Sequence, residues 1–412
     1  MAYLIRRHAH SRILAALQDT RVVVVLGARQ VGKSTLTRAI AAEDHPATSI
    51  TLDDRTLREA ATADPTGFLA GYEGDLLVDE VQHVPDLLFA IKESVDLDPR
   101  PGRFLLTGSA NILTAPKIAE ALTGRAEFIN LWPFSQSELV GTEANFVDAM
   151  LRGRPPMISG APVGRAAFSE IVARGGYPEA RTRDPRRRRS WYRSYLASLV
   201  ERDLRDLADA QKLEYVPRLL RLLASQAANL FVPANIGAKL GLDQRTVSSY
   251  TRLLETLFIV RRTPAWRPGI GSREIQHEKI YVVDSGLMAH LLGADERRID
   301  TDDQVTGRIL ENFVAMELAR LADEVEASLT PYHYRHREDE VDVVLETHAG
   351  EIVGIEVKAA ATVRPTDYAG LARLRDARSD DFLAGAVFYT GPDTKPLSDR
   401  IWAVPICALW MS

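Results

Sequence analysis

One short stretch near the start of the chain constrains the fold more than any other. It runs Gly27-Ala28-Arg29-Gln30-Val31-Gly32-Lys33-Ser34 and matches the pattern G-x-x-x-x-G-K-[ST]. A β-branched apolar run precedes it, and the residues after it have a helical pattern. In such an arrangement of strand, glycine-rich loop and helix, the backbone N–H groups of the loop and of the first helical turn surround the phosphate oxygens. The stretch therefore predicts a phosphate-binding loop (P-loop), with Thr35 as a further contact.

Two pairs of residues have specific expected roles at this loop. Lys33 is expected to reach the β- and γ-phosphates, and Ser34 to hold Mg²⁺. Further along, an apolar strand ends in Asp79-Glu80. Asp79 is predicted to orient Mg²⁺ through its water shell, and Glu80 to polarise the attacking water. Together these positions predict a site that binds ATP or ADP with Mg²⁺ and hydrolyses ATP.

Two later strands carry further candidates. The fourth strand ends in small polar residues, so Thr107 or Ser109 is expected near the γ-phosphate or the lytic water, with a simple turn as the alternative. Arg125 comes just before the fifth strand, a position that suits an arginine finger offered to a neighbouring subunit's nucleotide. The alternative is a surface arginine that pairs with Glu120 or Glu127.

The composition sets the class of protein. The chain has 412 residues, of which 46% are apolar and 26% charged, which predicts two to four domains with sizeable cores. No stretch approaches the roughly 18 apolar residues of a membrane span, and the first residues lack an apolar secretory segment. The single cysteine, Cys407, excludes an internal disulfide framework and is predicted to be a core residue. We expect a cytoplasmic protein without a membrane partner.

The order of these features resembles that of the AAA+ ATPases. Strands and helices alternate five times, which predicts a parallel α/β sheet. Gly124-Arg125 and the stretch Leu131-Trp132-Pro133-Phe134-Ser135 are similar to one prokaryotic branch of that family, whose C-terminal region is described as a domain of unknown function. The resemblance implies an ATPase core in residues 1–150, a helical lid in residues 151–211, and self-association into a dimer or a ring.

The predicted lid contains two notable stretches. Gly175-Gly176-Tyr177-Pro178 resembles the Gly-x-Pro lid motif of related ATPases, so Tyr177 and Pro178 are candidates for contact with the nucleotide, Tyr177 near the adenine; a capping turn is the plainer alternative. Six arginines lie between Arg181 and Arg189. They could contact the phosphates of a nucleic acid without recognising its sequence. The alternative is the solvated first turn of a helix.

The segment that follows is basic. Residues 212–273 carry ten Lys or Arg and three Asp or Glu, a net charge of +7, whereas the whole chain has −5. Such a charge favours a local polyanion partner. Three helical patterns, a glycine turn and a strand predict a winged helix-turn-helix over residues 212–275. DNA is the expected partner, and protein docking is the alternative. The residues predicted to face outward on the third helix are Gln244, Arg245, Ser248, Ser249 and Arg252.

The last segment, residues 276–412, contains a candidate second active site. Glu356 and Lys358 are two apart on one predicted strand and share a face, and Asp342 lies on the neighbouring hairpin strand. Asp342 and Glu356 are candidate ligands of Mg²⁺, and Lys358 would offset charge during phosphodiester cleavage. The alternative is an exposed, salt-bridged strand face.

This pattern resembles the PD-(D/E)xK nuclease fold. The resemblance implies a restriction-endonuclease-like α/β domain, with Glu311 of the preceding helix as a further metal ligand. Val341 departs from the family motif, which has proline there. Two functions follow from the whole sequence. The first is an ATP-driven enzyme that acts on DNA and cleaves it. The second is a nucleotide-state switch that binds a protein or nucleic-acid partner without cutting it.

Overall fold

The computed structural model describes residues 5–108, 122–143, 145–160, 163–204, 210–267, 277–325, 327–336 and 339–411. Contacts divide the chain into two compact units. The first unit comprises residues 1–133 with 256–258, and the second comprises 134–255 with 259–412. The candidates Ser109 and Glu120 lie outside the described residues. The domain boundaries after residues 150, 211 and 275 stay predictions.

The first unit is built on a parallel sheet. Its helices are α1 (Ala9–Asp19), α2 (Lys33–Glu43), α3 (Arg55–Ala63), α4 (Pro65–Ala70) and α5 (Leu87–Leu97). Its strands are β1 (Val22–Leu26), β2 (Thr48–Thr51), β3 (Leu76–Asp79), β4 (Phe104–Gly108) and β5 (Ala126–Asn130). The order across the sheet is β2-β3-β4-β1-β5, and every pair is parallel. The prediction of a parallel α/β sheet is confirmed.

This strand order gathers the nucleotide motifs at one edge. β1 is buried at all five positions, as its run of valines followed by leucine requires. Carboxyl ends of parallel strands meet at the same edge of a sheet. The P-loop follows β1, Asp79 ends β3 and Thr107 lies near the end of β4, and these three strands are neighbours. The fold therefore brings the motifs together although they are far apart in the chain.

The second unit begins with helices. They are α6 (Gln136–Val140), α7 (Phe146–Leu151), α8 (Arg165–Arg174), α9 (Pro178–Arg181), α10 (Pro185–Ser198), α11 (Val216–Ser225), α12 (Pro233–Leu240) and α13 (Gln244–Thr256). Gly241 ends α12 with φ +71°, a left-handed conformation that favours glycine. Asp243 caps α13 by accepting a hydrogen bond from Thr246 N at 2.9 Å. Strand β6 (Val260–Thr263) then pairs antiparallel with β7 (Lys279–Val282).

A mixed sheet forms the rest of the second unit. Its strands are β8 (Thr330–His336), β9 (Asp339–Glu346), β10 (Ile352–Val357), β11 (Phe382–Tyr389), β12 (Lys395–Ser398) and β13 (Ile401–Pro405). The associated helices are α14 (Ser285–Leu291), α15 (Glu296–Thr301), α16 (Asp303–Ala322) and α17 (Ala369–Ala377). The sheet order is β12-β13-β11-β10-β9-β8, antiparallel at both edges and parallel across β10, β11 and β13.

Two further observations complete the fold. Helix α16 is buried over most of its length, so it is a core helix of the second unit rather than an amphipathic surface helix. Cys407 is buried, as predicted for a core residue. Within the described ranges, every helix is too short or too polar to cross a bilayer.

Candidate functional site

The backbone of the P-loop requires glycine at two positions. A Cβ on Gly27 would lie 2.2 Å from the carbonyl oxygen of Leu131, and Gly32 has φ +99° just before α2. Lys33 is buried, and its ammonium donates to the carbonyl oxygens of Gly27 and Ala28 at 3.0 Å each. The lysine therefore lies along the concave side of its own loop, where phosphate would accept the same donors.

A buried arginine supports the loop from the protein interior. Arg7 donates to the carbonyl oxygen of Val31 at 2.8 Å and to that of Trp132 at 2.6 Å. These two hydrogen bonds join the loop to the chain that follows β5. Sequence reasoning missed Arg7, because an arginine in a polar N-terminal segment has the pattern of a surface residue.

Asp79 is the centre of a hydrogen-bond network. Its Oδ1 accepts a hydrogen bond from Ser34 Oγ at 2.8 Å and another from the hydroxyl of Thr107. Its Oδ2 accepts one from Arg38 at 2.9 Å. A hydroxyl and a carboxylate at this separation are hard oxygen donors, so the residues present fit Mg²⁺. The sequence predicted Ser34 and Asp79 for this role and missed Arg38, whose position in α2 gave no sign of a partner in β3.

Glu80 leaves the strand in an unusual conformation. Its φ is +58°, the left-handed region that non-glycine residues adopt rarely and often at functional sites. Its amide donates to Thr107 Oγ1 at 3.1 Å, and its carboxylate accepts a hydrogen bond from the side-chain amide of Gln82. The backbone of Glu80 is therefore joined to the Asp79 network through Thr107.

Arg125 pairs with an acid that the sequence did not suggest. Its guanidinium donates to both carboxylate oxygens of Asp96, at 2.6 and 2.9 Å, and this hydrogen bonding lowers the pKa of Asp96. Asp96 lies on α5, whereas the predicted alternatives were Glu127 and Glu120, the second of which is outside the described residues. The role of Arg125 as an arginine finger stays a prediction.

Tyr177 is part of an aromatic core in the second unit. The side chain is fully buried, its hydroxyl lies 3.2 Å from that of Tyr195, and its ring is 5.5 Å from the ring of Trp191. Burial raises the pKa of Tyr177 well above its usual value. Pro178 is the first residue of α9, as the turn-and-cap alternative requires. Contact of Tyr177 and Pro178 with a nucleotide stays a prediction.

Asp284 anchors this aromatic region, and sequence reasoning gave it no role. Its Oδ2 accepts from Gly176 N at 2.5 Å, and its Oδ1 accepts from Tyr192 Oη at 2.9 Å and from Leu287 N at 2.7 Å. The available signal was an apolar strand that ends in Asp-Ser-Gly before a helix, which is the pattern of an N-cap.

The predicted residues of the second site do come together. Asp342 on β9 is buried, and its Oδ2 accepts a hydrogen bond from Val357 N at 3.0 Å. Lys358 directly follows β10, and its Nζ lies 2.7 Å from Glu356 Oε1, so the two side chains lie on the same side of the chain, as predicted. Burial and the nearby charge of Asp342 raise the pKa of Glu356 to about 8.

A lysine that the sequence analysis did not single out lies at the centre of this cluster. The ammonium of Lys279 is 2.7 Å from Glu311 Oε1, 2.9 Å from Glu340 Oε1 and 3.1 Å from Asp342 Oδ1. Burial alone would lower the pKa of Lys279, but the surrounding acids, Asp342 above all, raise it well above its usual value. Lys279 is therefore a buried cation, and it in turn lowers the pKa of Asp342 against the effect of burial.

The cluster does not have the geometry of a metal site. Over the described ranges, His, Cys, Asp and Glu side chains nowhere form a group of three or more suited to a metal ion. Glu311 and Asp342 face Lys279, and Glu356 faces Lys358. The residues present do not fit a divalent cation as arranged, and the metal role of Glu311, Asp342 and Glu356 stays a prediction.

Three family descriptions match separate parts of the chain. Residues 19–140 match the family described as AAA domain. Residues 165–298 and 306–409 match two families described as domains of unknown function, DUF8612 and DUF4143. Together with the P-loop at the edge of a parallel sheet, the first match supports an AAA+ P-loop ATPase domain over residues 19–140.

Two relatives resemble nearly the whole chain. They are described as uncharacterized proteins of Mycobacterium bovis and Mycobacterium tuberculosis. Each is 32% identical over 405 residues, a match that covers 97% of this chain and 83% of the relative. The chain belongs to the family of these two proteins.

Two solved structures are similar in part. A RuvB variant from Thermotoga maritima has a TM-score of 0.26 and 18% identity, with 62% of this chain and 87% of that chain covered. A Signal Transduction ATPase with Numerous Domains (STAND) protein with a tetratricopeptide repeat sensor, from Pyrococcus horikoshii, has a TM-score of 0.21 and 11% identity, with 77% and 46% covered. At these scores neither structure bears on the arrangement of this chain.

Proposed function

We propose that the chain is an ATP-hydrolysing switch that acts on DNA through its second unit without cutting it. The AAA domain match implies nucleotide binding and hydrolysis. The observation that carries the catalytic part is the hydrogen-bond network that joins Ser34 of the P-loop, Asp79 of β3 and Thr107 of β4. It supports a site already arranged for a triphosphate and its cation.

Each residue at this edge has a role in the proposed reaction. The P-loop amides and Lys33 bind the phosphates, which replace the loop carbonyls as acceptors for the ammonium. Ser34 and Asp79 hold Mg²⁺, which when bound offsets the charge of the β- and γ-phosphates. Glu80 accepts the proton of the attacking water. Arg38 orients Asp79 through its hydrogen bond to Oδ2.

A pair of variants tests this site. Lys33→Ala is expected to lose ATP binding, since it removes the phosphate contact. Glu80→Gln is expected to bind ATP as tightly as the parent while hydrolysis falls by about 10²–10⁴-fold, the usual contribution of a general base. Calorimetric titration measures binding, and phosphate release measures turnover. Full turnover in Glu80→Gln, or no ATP binding by the parent chain, would contradict the proposal.

The DNA part of the proposal rests on the exposed face of α13. Val247 and Leu254 are buried, while Gln244, Arg245, Ser249 and Arg252 are exposed and Ser248 is half-buried. This is close to the division of faces predicted for the third helix. Polar, cationic residues near the N-terminal half of such a helix suit the major groove. The basic charge of the segment favours the same partner over a protein.

Cleavage of the DNA is the second candidate function. The convergence of Asp342, Glu356 and Lys358 on neighbouring strands favours it. The position of Lys279 among the acids favours the switch instead.

A nuclease assay decides between the two functions. Plasmid and single-stranded DNA are incubated with Mg²⁺ or Mn²⁺, with and without ATP, and the parent is compared with Asp342→Ala. We expect no cutting by either protein. Cutting by the parent that Asp342→Ala abolishes would establish the nuclease.

A further inference from the structure

The position of Lys279 has consequences for the whole second unit. Lys279 is the first residue of β7, yet its side chain is only 2% exposed. The three carboxylate oxygens within 3.1 Å of its ammonium come from α16, from the start of β9 and from the middle of β9. An ammonium has three donors and no acceptor, so these oxygens match its full donor capacity.

A divalent cation in this cluster would compete with the ammonium for the same oxygens. Mg²⁺ takes oxygen ligands at about 2.0–2.1 Å in octahedral geometry, whereas the oxygens here lie at hydrogen-bond distances from nitrogen. A divalent cation near a buried ammonium is also repelled strongly, because screening is weak away from water. The remaining acid, Glu356, forms an ion pair with the ammonium of a second lysine, Lys358.

We infer that Lys279 stands in place of a divalent cation, and that Lys279, Glu311, Glu340 and Asp342 form a metal-independent clasp. The clasp joins the β6–β7 hairpin to α16 and to the mixed sheet. The backbone adds to this junction, since Trp266 N donates to His333 O at 2.6 Å and His333 N donates to Pro264 O at 3.0 Å.

The clasp gives the second unit a specific mechanical role. Helix α13, which is proposed to contact DNA, ends at Thr256, and β6 of the hairpin begins at Val260. Arg262 of β6 donates to Glu255 of α13 from its backbone N at 2.9 Å and from its Nε at 2.8 Å. The clasp and this pair therefore connect α13 to the mixed sheet through the hairpin. This inference builds on the proposed function, in which the second unit recognises a partner without cutting, but its test needs neither ATP nor DNA.

The test measures Mn²⁺ binding and thermal stability in the full-length, nucleotide-free chain. Every protein carries Ser34→Ala, which removes a predicted cation ligand at the P-loop. With Lys279 present, we expect the same melting temperature in EDTA and in Mn²⁺. The amount of bound Mn²⁺ should also be the same with and without the Asp342→Asn substitution. Electron paramagnetic resonance counts the bound ion.

Removal of the ammonium should create the metal site. In EDTA, Lys279→Ala should lower the melting temperature by on the order of 10 °C, because three acids lose their buried partner. Added Mn²⁺ should restore most of the lost melting temperature. The Lys279→Ala protein should bind one Mn²⁺, and the additional Asp342→Asn substitution should abolish that binding. Arg320→Met is the matched control, since Arg320 is a buried cation of the same unit paired with Glu317. It should be destabilised without rescue by Mn²⁺.

Three results would overturn the inference. One is Mn²⁺ bound at the cluster while Lys279 is present and lost with Asp342→Asn. Another is a Lys279→Ala protein that folds but neither binds Mn²⁺ nor gains stability from it. The third is equal rescue of Arg320→Met. If Lys279→Ala does not fold in either buffer, Lys279→Met, which keeps most of the stem, replaces it, and Mn²⁺ binding with Lys279 present still decides.

Discussion

The backbone amide of Glu80 donates a hydrogen bond to the hydroxyl of Thr107 across 3.1 Å, and the same hydroxyl donates to Asp79. The two acids at the end of β3 are therefore positioned by a side chain of the neighbouring strand. Ser34 reaches the same oxygen of Asp79 from the P-loop. In the proposed reaction, phosphate binding and water activation are thus linked through one buried threonine.

The first prediction concerns that threonine. Thr107→Val keeps the volume of the side chain and removes the hydroxyl, so the amide of Glu80 loses its acceptor. We expect turnover of ATP to fall by roughly 100-fold, a typical result of misplacing a catalytic group, while ATP affinity changes little. Thr107→Ser keeps the hydroxyl and should retain most activity. Equal turnover in Thr107→Val and the parent would show that this hydroxyl does not position Glu80.

The second prediction concerns Arg125 and self-association. If Arg125 completes the site of a neighbouring copy, Arg125→Ala should bind ATP normally and lose turnover on the order of 10³-fold. Arg100→Ala is the matched control, because Arg100 is another partly exposed arginine of the first unit paired with aspartates. It should leave turnover unchanged.

A mixing experiment separates a shared site from a local defect. Arg125→Ala and Glu80→Gln each lack one component, so a mixed assembly contains some sites with both components intact. We expect the mixture to hydrolyse more ATP than the sum of the separate variants. A mixture that is no more active than its parts would remove the arginine-finger role, and Arg125 would then be a surface partner of Asp96.

The third prediction concerns the face of α13. Arg245→Ala and Arg252→Ala should each weaken DNA binding and reduce the salt dependence of the binding constant by about one counterion, as expected for a lost phosphate contact. Arg218→Ala removes an exposed arginine of α11 and serves as the control. Fluorescence anisotropy at several salt concentrations gives both quantities. If all three variants bind alike, α13 is not the contact surface.

The nucleotide site could be predicted from the sequence because its information is local. The P-loop is one continuous stretch, and Asp79-Glu80 ends an apolar strand, so each signal is complete within a few residues. Parallel-sheet topology then brings the strand ends to one edge without further information. Arg38 was missed because its partnership with Asp79 depends on which strand lies beside α2.

The carboxylate cluster shows the opposite case. The hairpin pattern correctly placed Asp342 near Glu356, because β9 and β10 are adjacent in the chain and in the sheet. Lys279 has the pattern of a polar residue at the start of a strand. Glu311 is 32 residues from Lys279 along the chain, and Asp342 is 63 residues from it. Only the tertiary fold therefore shows that the lysine is buried between these acids.

The last prediction concerns acid stability and His333. This histidine is buried, and its Nε2 lies 3.0 Å from the carbonyl oxygen of His277. Its Nδ1 is buried without a hydrogen-bond partner among the described residues. Burial lowers the pKa of His333 to about 4 from its usual 6.5. The ring is therefore neutral in the folded protein at pH values where the unfolded chain already binds a proton.

The sign of the pH effect follows from this difference. Well above pH 6.5 neither state is protonated and His333 has no effect, whereas as the pH falls through 6.5 towards 4 the unfolded state takes up a proton that the folded state does not. Stability should fall over that window, by about 3 kcal/mol at its lower end. His333→Gln keeps an amide donor for His277 and cannot titrate, so chemical unfolding of both proteins at several pH values isolates the contribution. The difference between them should change by about that amount from pH 7 to pH 4, and parallel curves would mean that His333 is solvated or finds a second partner.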